Sequence, residues 1–218
     1  VTETVKAAIA AQVDYINATT ATDEHIERAR TTAAEFGVQC PDEATGNLLS
    51  TLAATGRNAH TSGAVIVTPA AGLVGLHVLR GLNDRQTLTC IDPEAEHHHS
   101  ARELFRAAGF TGSRSRFLPS RPLDVMGRLT NGAYHLVYLD VSGMDMVAAV
   151  RAAFPLLSVG GTIVLADSLL DGTIADHTRR DQDTLGARAA DEYARELEDA
   201  VVSRIPLGAG LTLITRTA

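Results

Sequence analysis

The chain has 218 residues, is 45% hydrophobic and carries a formal net charge of −7 with acids and bases interspersed. That length supports one globular domain with a sizeable core, taken as residues 1–218 with residues 1–60 as a helical N-terminal extension. The charge balance gives no basic face for nucleic acid, and 4% aromatics without Trp argue against a single-strand stacking platform.

Alanine-rich helical patterning covers 3–16, 22–36 and 43–54, with Thr22 as N-cap of the second helix and Gly37 as its stop. Cys40 lies just beyond that helix, and with Cys90 it forms no C-x-x-C pair, so neither a disulfide framework nor a zinc site is expected. From residue 63 the pattern changes. Short β-branched runs at 64–68, 87–91, 114–118, 134–139 and 161–166 alternate with helical segments, which implies a parallel sheet with right-handed crossovers. The runs "YHLVYLD" and "GTIVLAD" are continuously apolar and end in Asp140 and Asp167, as buried parallel strands with a functional carboxyl end do. A polar helix is expected over 176–199, with a repulsive Glu192–Glu196 pair and an attractive Arg195–Asp199 pair. The tail reads as two strands around Leu207-Gly208-Ala209-Gly210, a hairpin. No signal peptide or bilayer-spanning run is read, so a cytoplasmic protein without a membrane partner is expected.

The first strand leads into Thr68-Pro69-Ala70-Ala71-Gly72, a loop with one glycine where nucleotide-binding loops usually have several. Asp92 ends the second strand, twenty positions after Gly72, where a nucleoside ribose finds its acceptor. Alternatively Asp92 is the N-cap of a helix whose first position suits Pro93. His97, His98 and His99 cannot converge on one ion, because consecutive helical residues point about 100° apart. The stripe Ala101, Leu104, Phe105 and Ala108 puts His97 near the core face and the other two outside. Asp140 and Asp167, ending neighbouring strands, could share Mg2+ or Ca2+. One could instead act as general base on a hydroxyl, or each could cap its own turn.

Taken in order, "SGAVIVTPAAGLVGLHVLRGL", "TLTCIDPEAEHHHSARELFRAAGF", "AYHLVYLDVSG", "LLSVGGTIVLADSLLDG" and "PLGAGLTLITR" resemble the S-adenosylmethionine-dependent O-methyltransferases of the caffeoyl-CoA and catechol type, in particular their small actinobacterial branch. The resemblance runs from about residue 22 to the C-terminus. It implies an α/β, class I methyltransferase (Rossmann-like) fold: a mostly parallel seven-stranded sheet, helices on both faces and a C-terminal antiparallel hairpin. It implies S-adenosylmethionine as cofactor, a small and aromatic hydroxylated acceptor, and a homodimer built with the N-terminal helices.

By the same resemblance the cofactor meets Pro41, Thr68, Pro69, Gly72, Val74, Asp92, Pro93, Pro122 and Asp140. Asp140 faces both cofactor and acceptor and is the expected catalytic residue. Several family positions differ here: Ile66 stands at the loop's acid, Thr68 and Ala70 at its glycines, and Ser120-Arg121-Pro122 at a Gly-x-Ala segment. Metal-dependent relatives have an Asp-Asn pair at Asp167-Ser168 and a second acid and a lysine at Ser142-Gly143, so a divalent cation on Asp140 and Asp167 lacks part of its ligand set. Ala209 replaces an acid of the closing hairpin. Losing one charge-assisted bond at Ile66 weakens a cofactor site by roughly 1.5–3 kcal/mol. The alternative expectation is therefore a catalytically inactive, methyltransferase-like binding or regulatory protein. A nicotinamide-dependent reductase would also use Asp92, but no Tyr-x-x-x-Lys pair is present.

Overall fold

The computed structural model describes residues 3–21 and 23–218. Helices α1 (Glu3–Thr19), α2 (Glu24–Glu35) and α3 (Glu43–Thr55) precede the sheet. Strands and helices then alternate: β1 (Gly63–Val67), α4 (Ala71–Gly81), β2 (Thr87–Ile91), α5 (Ala95–Ala107), β3 (Ser115–Leu118), α6 (Pro122–Val125), β4 (Tyr134–Leu139), α7 (Met146–Ala153) and β5 (Leu157–Leu165). Helix α8 (Gln182–Arg195) leads into the hairpin β6 (Ala200–Ile205) and β7 (Leu211–Arg216). The seven strands form one sheet in the order β3-β2-β1-β4-β5-β7-β6. Only the pairings of β7 with β5 and β6 are antiparallel.

The alternation of side chains along each strand divides the core in two. Ala64, Ile66, Leu136 and Tyr138 face one layer with Ile26, Leu49, Leu76 and Phe105. Val65, Val67, Val137 and Leu139 face the other with Met146, Val150, Ala187 and Ala194. Both faces are thus covered by helices, which is why β1 and β4 are apolar without a polar side. Helix α8 closes tightly on the turn that precedes α7: a Cβ on Gly186 would stand 2.3 Å from the Gly143 carbonyl oxygen.

Local signals explain most element ends, and several expectations are corrected. Thr22 lies outside the described residues, and α2 is capped by Asp23, whose Oδ1 accepts the His25 and Ile26 amides. Gly37 follows with φ +68, the left-handed stop expected of it. The last long helix starts at Gln182, not 176. Asp181 accepts the Thr184 amide at 2.9 Å, and Asp171 and Gly172, at φ 53 and 86, break the helical path upstream. Arg195 pairs with Asp191 one turn back at 3.1 Å rather than with Asp199, because the helix ends at Arg195.

Candidate active site

Strand order reverses its winding between β1 and β4, and at such a switch point the carboxyl ends of the strands leave a crevice. Three segments meet there. The loop Thr68–Gly72 follows β1, Asp92 follows β2 and Asp140 follows β4, its amide donating to Val67 O at 2.9 Å.

Thr68 is the link between the first and third. Its Oγ1 donates to Asp140 Oδ2 at 2.8 Å and accepts the Ala70 amide at 3.1 Å. Ala70 has φ −81, so the missing glycine asks nothing unusual of the backbone. Gly72 serves packing: a Cβ there would stand 2.7 Å from Leu104 Cδ1 on α5. With Pro69, Phe36 and His97 it lines a cavity of about 20 Å3, room for a water and no more. Val74 and Ile66 are fully buried in the core. Val74 does not line the cleft around Asp140.

Asp92 is 5% exposed and holds His97 Nδ1 at 2.5 Å. It is not the N-cap of α5. That position belongs to Glu94, and Pro93 sits exposed in the bend before it, not at the first helical residue. The bond to Asp92 turns His97 toward the strand end, where Phe36 meets its ring edge-on at 5.4 Å. His98 therefore takes the core position expected of His97, 5.3 Å from the Phe117 ring, with neither ring nitrogen partnered. His99 is exposed. Pro122 opens α6 and lines a separate cleft with Arg121, Leu123 and Asp145.

The Asp140 cleft measures about 350 Å3 and is walled by Pro41, Asp42, Tyr138, Asp140, Asp167 and Asp171, among others. Burial pushes the Asp140 carboxyl above the usual carboxylate range; the Thr68 hydroxyl opposes this and Asp167 adds to it. Desolvation by the cleft wall likewise raises Asp167, against the lowering influence of the nearby Ala209 amide. Asp167, Leu170 and Asp171 all have left-handed φ, at 51, 46 and 53. Such strain in non-glycine residues concentrates at functional loops. Tyr138, Asp42 and Asp171 were not singled out from sequence. Tyr138 was accessible to that reasoning, since it stands two residues before Asp140 on the same strand face.

The donor set does not fit a divalent cation. One Asp140 oxygen is engaged by Thr68, and the buried Ser168 hydroxyl turns to Thr212 Oγ1 at 2.8 Å. Ser142 Oγ donates to Asp145 at 2.9 Å. Among the described residues no group of three His, Cys, Asp or Glu side chains gathers as metal ligands. The expected Asp140–Asp167 metal site is therefore not supported.

A seven-stranded sheet closed by an antiparallel hairpin, with its crevice at the β1–β4 switch point, defines a class I methyltransferase fold. No protein-family model matches the chain. A Mycobacterium marinum protein assigned to the O-methyltransferases is 34% identical over 194 residues, 89% of this chain and 85% of the relative. A crystal structure from Corynebacterium glutamicum is 59% identical with a TM-score of 0.94, covering 97% of this chain and 98% of that one. The O-methyltransferase TomG of Streptomyces achromogenes, solved with SAM, shares the fold at 22% identity and a TM-score of 0.84, covering 96% of each chain. The chain belongs to the O-methyltransferase family.

Proposed function

We propose that this protein transfers a methyl group from S-adenosylmethionine to a hydroxyl of a small aromatic acceptor held in the Asp140 cleft. The observation that carries the reading is the convergence, at one switch point, of buried Asp92, the Thr68–Gly72 loop and an Asp140 carboxylate fixed by Thr68. The residues present suit the cofactor: Asp92 as ribose acceptor, Thr68 and Pro69 as the loop beside it, and Pro41 with Asp140 toward the methionine end. Val74, Pro93 and Pro122 belong to the same expected set; Val74 is buried in the core, Pro93 is exposed in the bend before α5 and Pro122 opens α6. When bound, the cofactor supplies a methyl group already activated on a sulfonium.

The chain's own part is alignment, exclusion of water and removal of one proton. Thr68 holds Oδ2 of Asp140, leaving Oδ1 to accept the acceptor's hydroxyl proton. A carboxyl raised by burial is a stronger base than an ordinary aspartate. Asp140→Asn is expected to lower methyl transfer to a hydroxylated aromatic by at least about a hundredfold, with S-adenosylhomocysteine still bound; an unchanged rate would remove Asp140 from the reaction.

A cytoplasmic homodimer is part of the same proposal. Among the described residues no helix is long and apolar enough to cross a membrane, and α1 exposes Ile9, Val13 and Ile16 in one stripe. The competing reading, a catalytically inactive binding protein, draws on Ile66, which puts a core side chain where the family has an acid.

A further inference from the structure

The charge of the Asp140 cleft is one-sided. Asp42, Asp140, Asp167 and Asp171 line it, and among the described residues no Lys or Arg does. Arg30, which approaches from α2, is engaged by Pro41 O at 3.1 Å and Glu43 at 3.4 Å. Thr68 donates to Asp140 and the Thr45 amide to Asp42, so each of these bonds meets only part of a carboxylate's capacity.

The floor of the cleft carries an independent sign of a ligand. Tyr138 is 2% exposed, and among the described residues its hydroxyl has no hydrogen-bond partner. Tyr138 is nonetheless part of the cleft lining. A buried phenol is ordinarily partnered; this one faces the cleft, where a bound molecule would meet it.

S-adenosylmethionine brings a net charge of only +1, from a sulfonium and an ammonium set against one carboxylate. With all four aspartates ionised, the cleft would keep an excess of negative charge after the cofactor had bound. In partly desolvated surroundings like charges repel more strongly than in water, and a positive group on the second ligand relieves that repulsion.

We infer that the acceptor is a cation, a small hydroxylated compound with a protonated amine seated against Asp42, Asp167 and Asp171 and its polar edge on the Tyr138 hydroxyl. This rests on the methyltransferase reading and narrows it. An anionic acceptor such as an acyl thioester with phosphates would meet four carboxylates and no cation.

The test is calorimetric titration of the protein saturated with S-adenosylhomocysteine, using two phenols of opposite charge, tyramine and 3-(4-hydroxyphenyl)propionate. Tyramine is expected to bind at least about tenfold more tightly, with the preference shrinking as NaCl screens it. In the Asp167→Asn/Asp171→Asn double variant the preference should fall below about threefold; asparagine tolerates the left-handed φ of both positions. Asp171→Asn alone, at an exposed position, should give an intermediate preference. Equal or tighter binding of the propionate, or a preference unchanged in the variants, would overturn the inference while leaving the methyltransferase reading intact. If S-adenosylhomocysteine itself does not bind, that reading falls and this inference falls with it.

Discussion

Thr68 does two jobs that a glycine at its position could not. It caps the turn through the Ala70 amide and holds one oxygen of Asp140, so the loop and the expected base are a single hydrogen-bonded unit. A hydroxyl that donates to a carboxylate favours the ionised form. Removing it in Thr68→Val should raise the Asp140 pKa further and move the acid limb of the methyl-transfer rate to higher pH. The bond lost is worth roughly 1.5–3 kcal/mol; an unmoved limb would mean that Asp140 does not set it. Sequence showed the threonine only as a departure from glycine. Its partner lies 72 residues away, and no local pattern announces a contact made across two strand ends. Asp92 was legible as a strand-end carboxylate, but His97, the ring that takes up its oxygen, looked like a core residue.

Elements were read most securely where period and punctuation agreed. The five parallel strands and the closing hairpin stand within a few residues of their expected places, because continuous apolar runs and the Gly208–Gly210 turn leave little choice. The start of α8 was misplaced because residues 176–181 are polar and helix-compatible by composition, while Asp181 supplies the stop-start signal through Thr184. Helix α1 carries a prediction of its own. Its stripe of Ile9, Val13 and Ile16 lies exposed at i, i+4 and i+7, the spacing of a partnered helix face. Sedimentation should give twice the 23.0 kDa chain mass, and Val13→Glu should shift the protein to monomer. A monomeric wild-type protein would contradict the dimer.

Across the whole molecule, buried histidines set the response to acid. His77 is 1% exposed on α4 against α3, with its Nε2 3.9 Å from Glu43. Burial, with Arg80 and Arg30 nearby and Asp23 opposing them, pushes its pKa down to about 4. His98 and His135 are lowered by burial as well. The unfolded chain takes up these protons near the ordinary value of about 6.5, so it binds more protons than the native state below that pH, for His77 over the window from about 6.5 to about 4. Stability therefore falls as pH falls through that window. For His77 alone the loss is about 3 kcal/mol. Asp140 and Asp167, held above the usual carboxylate range, act in the opposite sense at the acid end. The difference between wild type and His77→Gln isolates the histidine: urea midpoints should fall less steeply in the variant between pH 6.5 and 4. Parallel curves would show that His77 titrates alike in the native and unfolded states and contradict the lowered value.

The central claim is that Thr68-Pro69-Ala70-Ala71-Gly72 still forms a working cofactor loop with Asp92 beside it. Calorimetric titration with S-adenosylhomocysteine tests it most directly. The predicted result is a dissociation constant on the order of micromolar for the wild type, about −8 kcal/mol, weakened at least about tenfold in Asp92→Ala. No heat and no thermal shift at millimolar ligand would contradict it, and the inactive binding protein would then be the reading that stands.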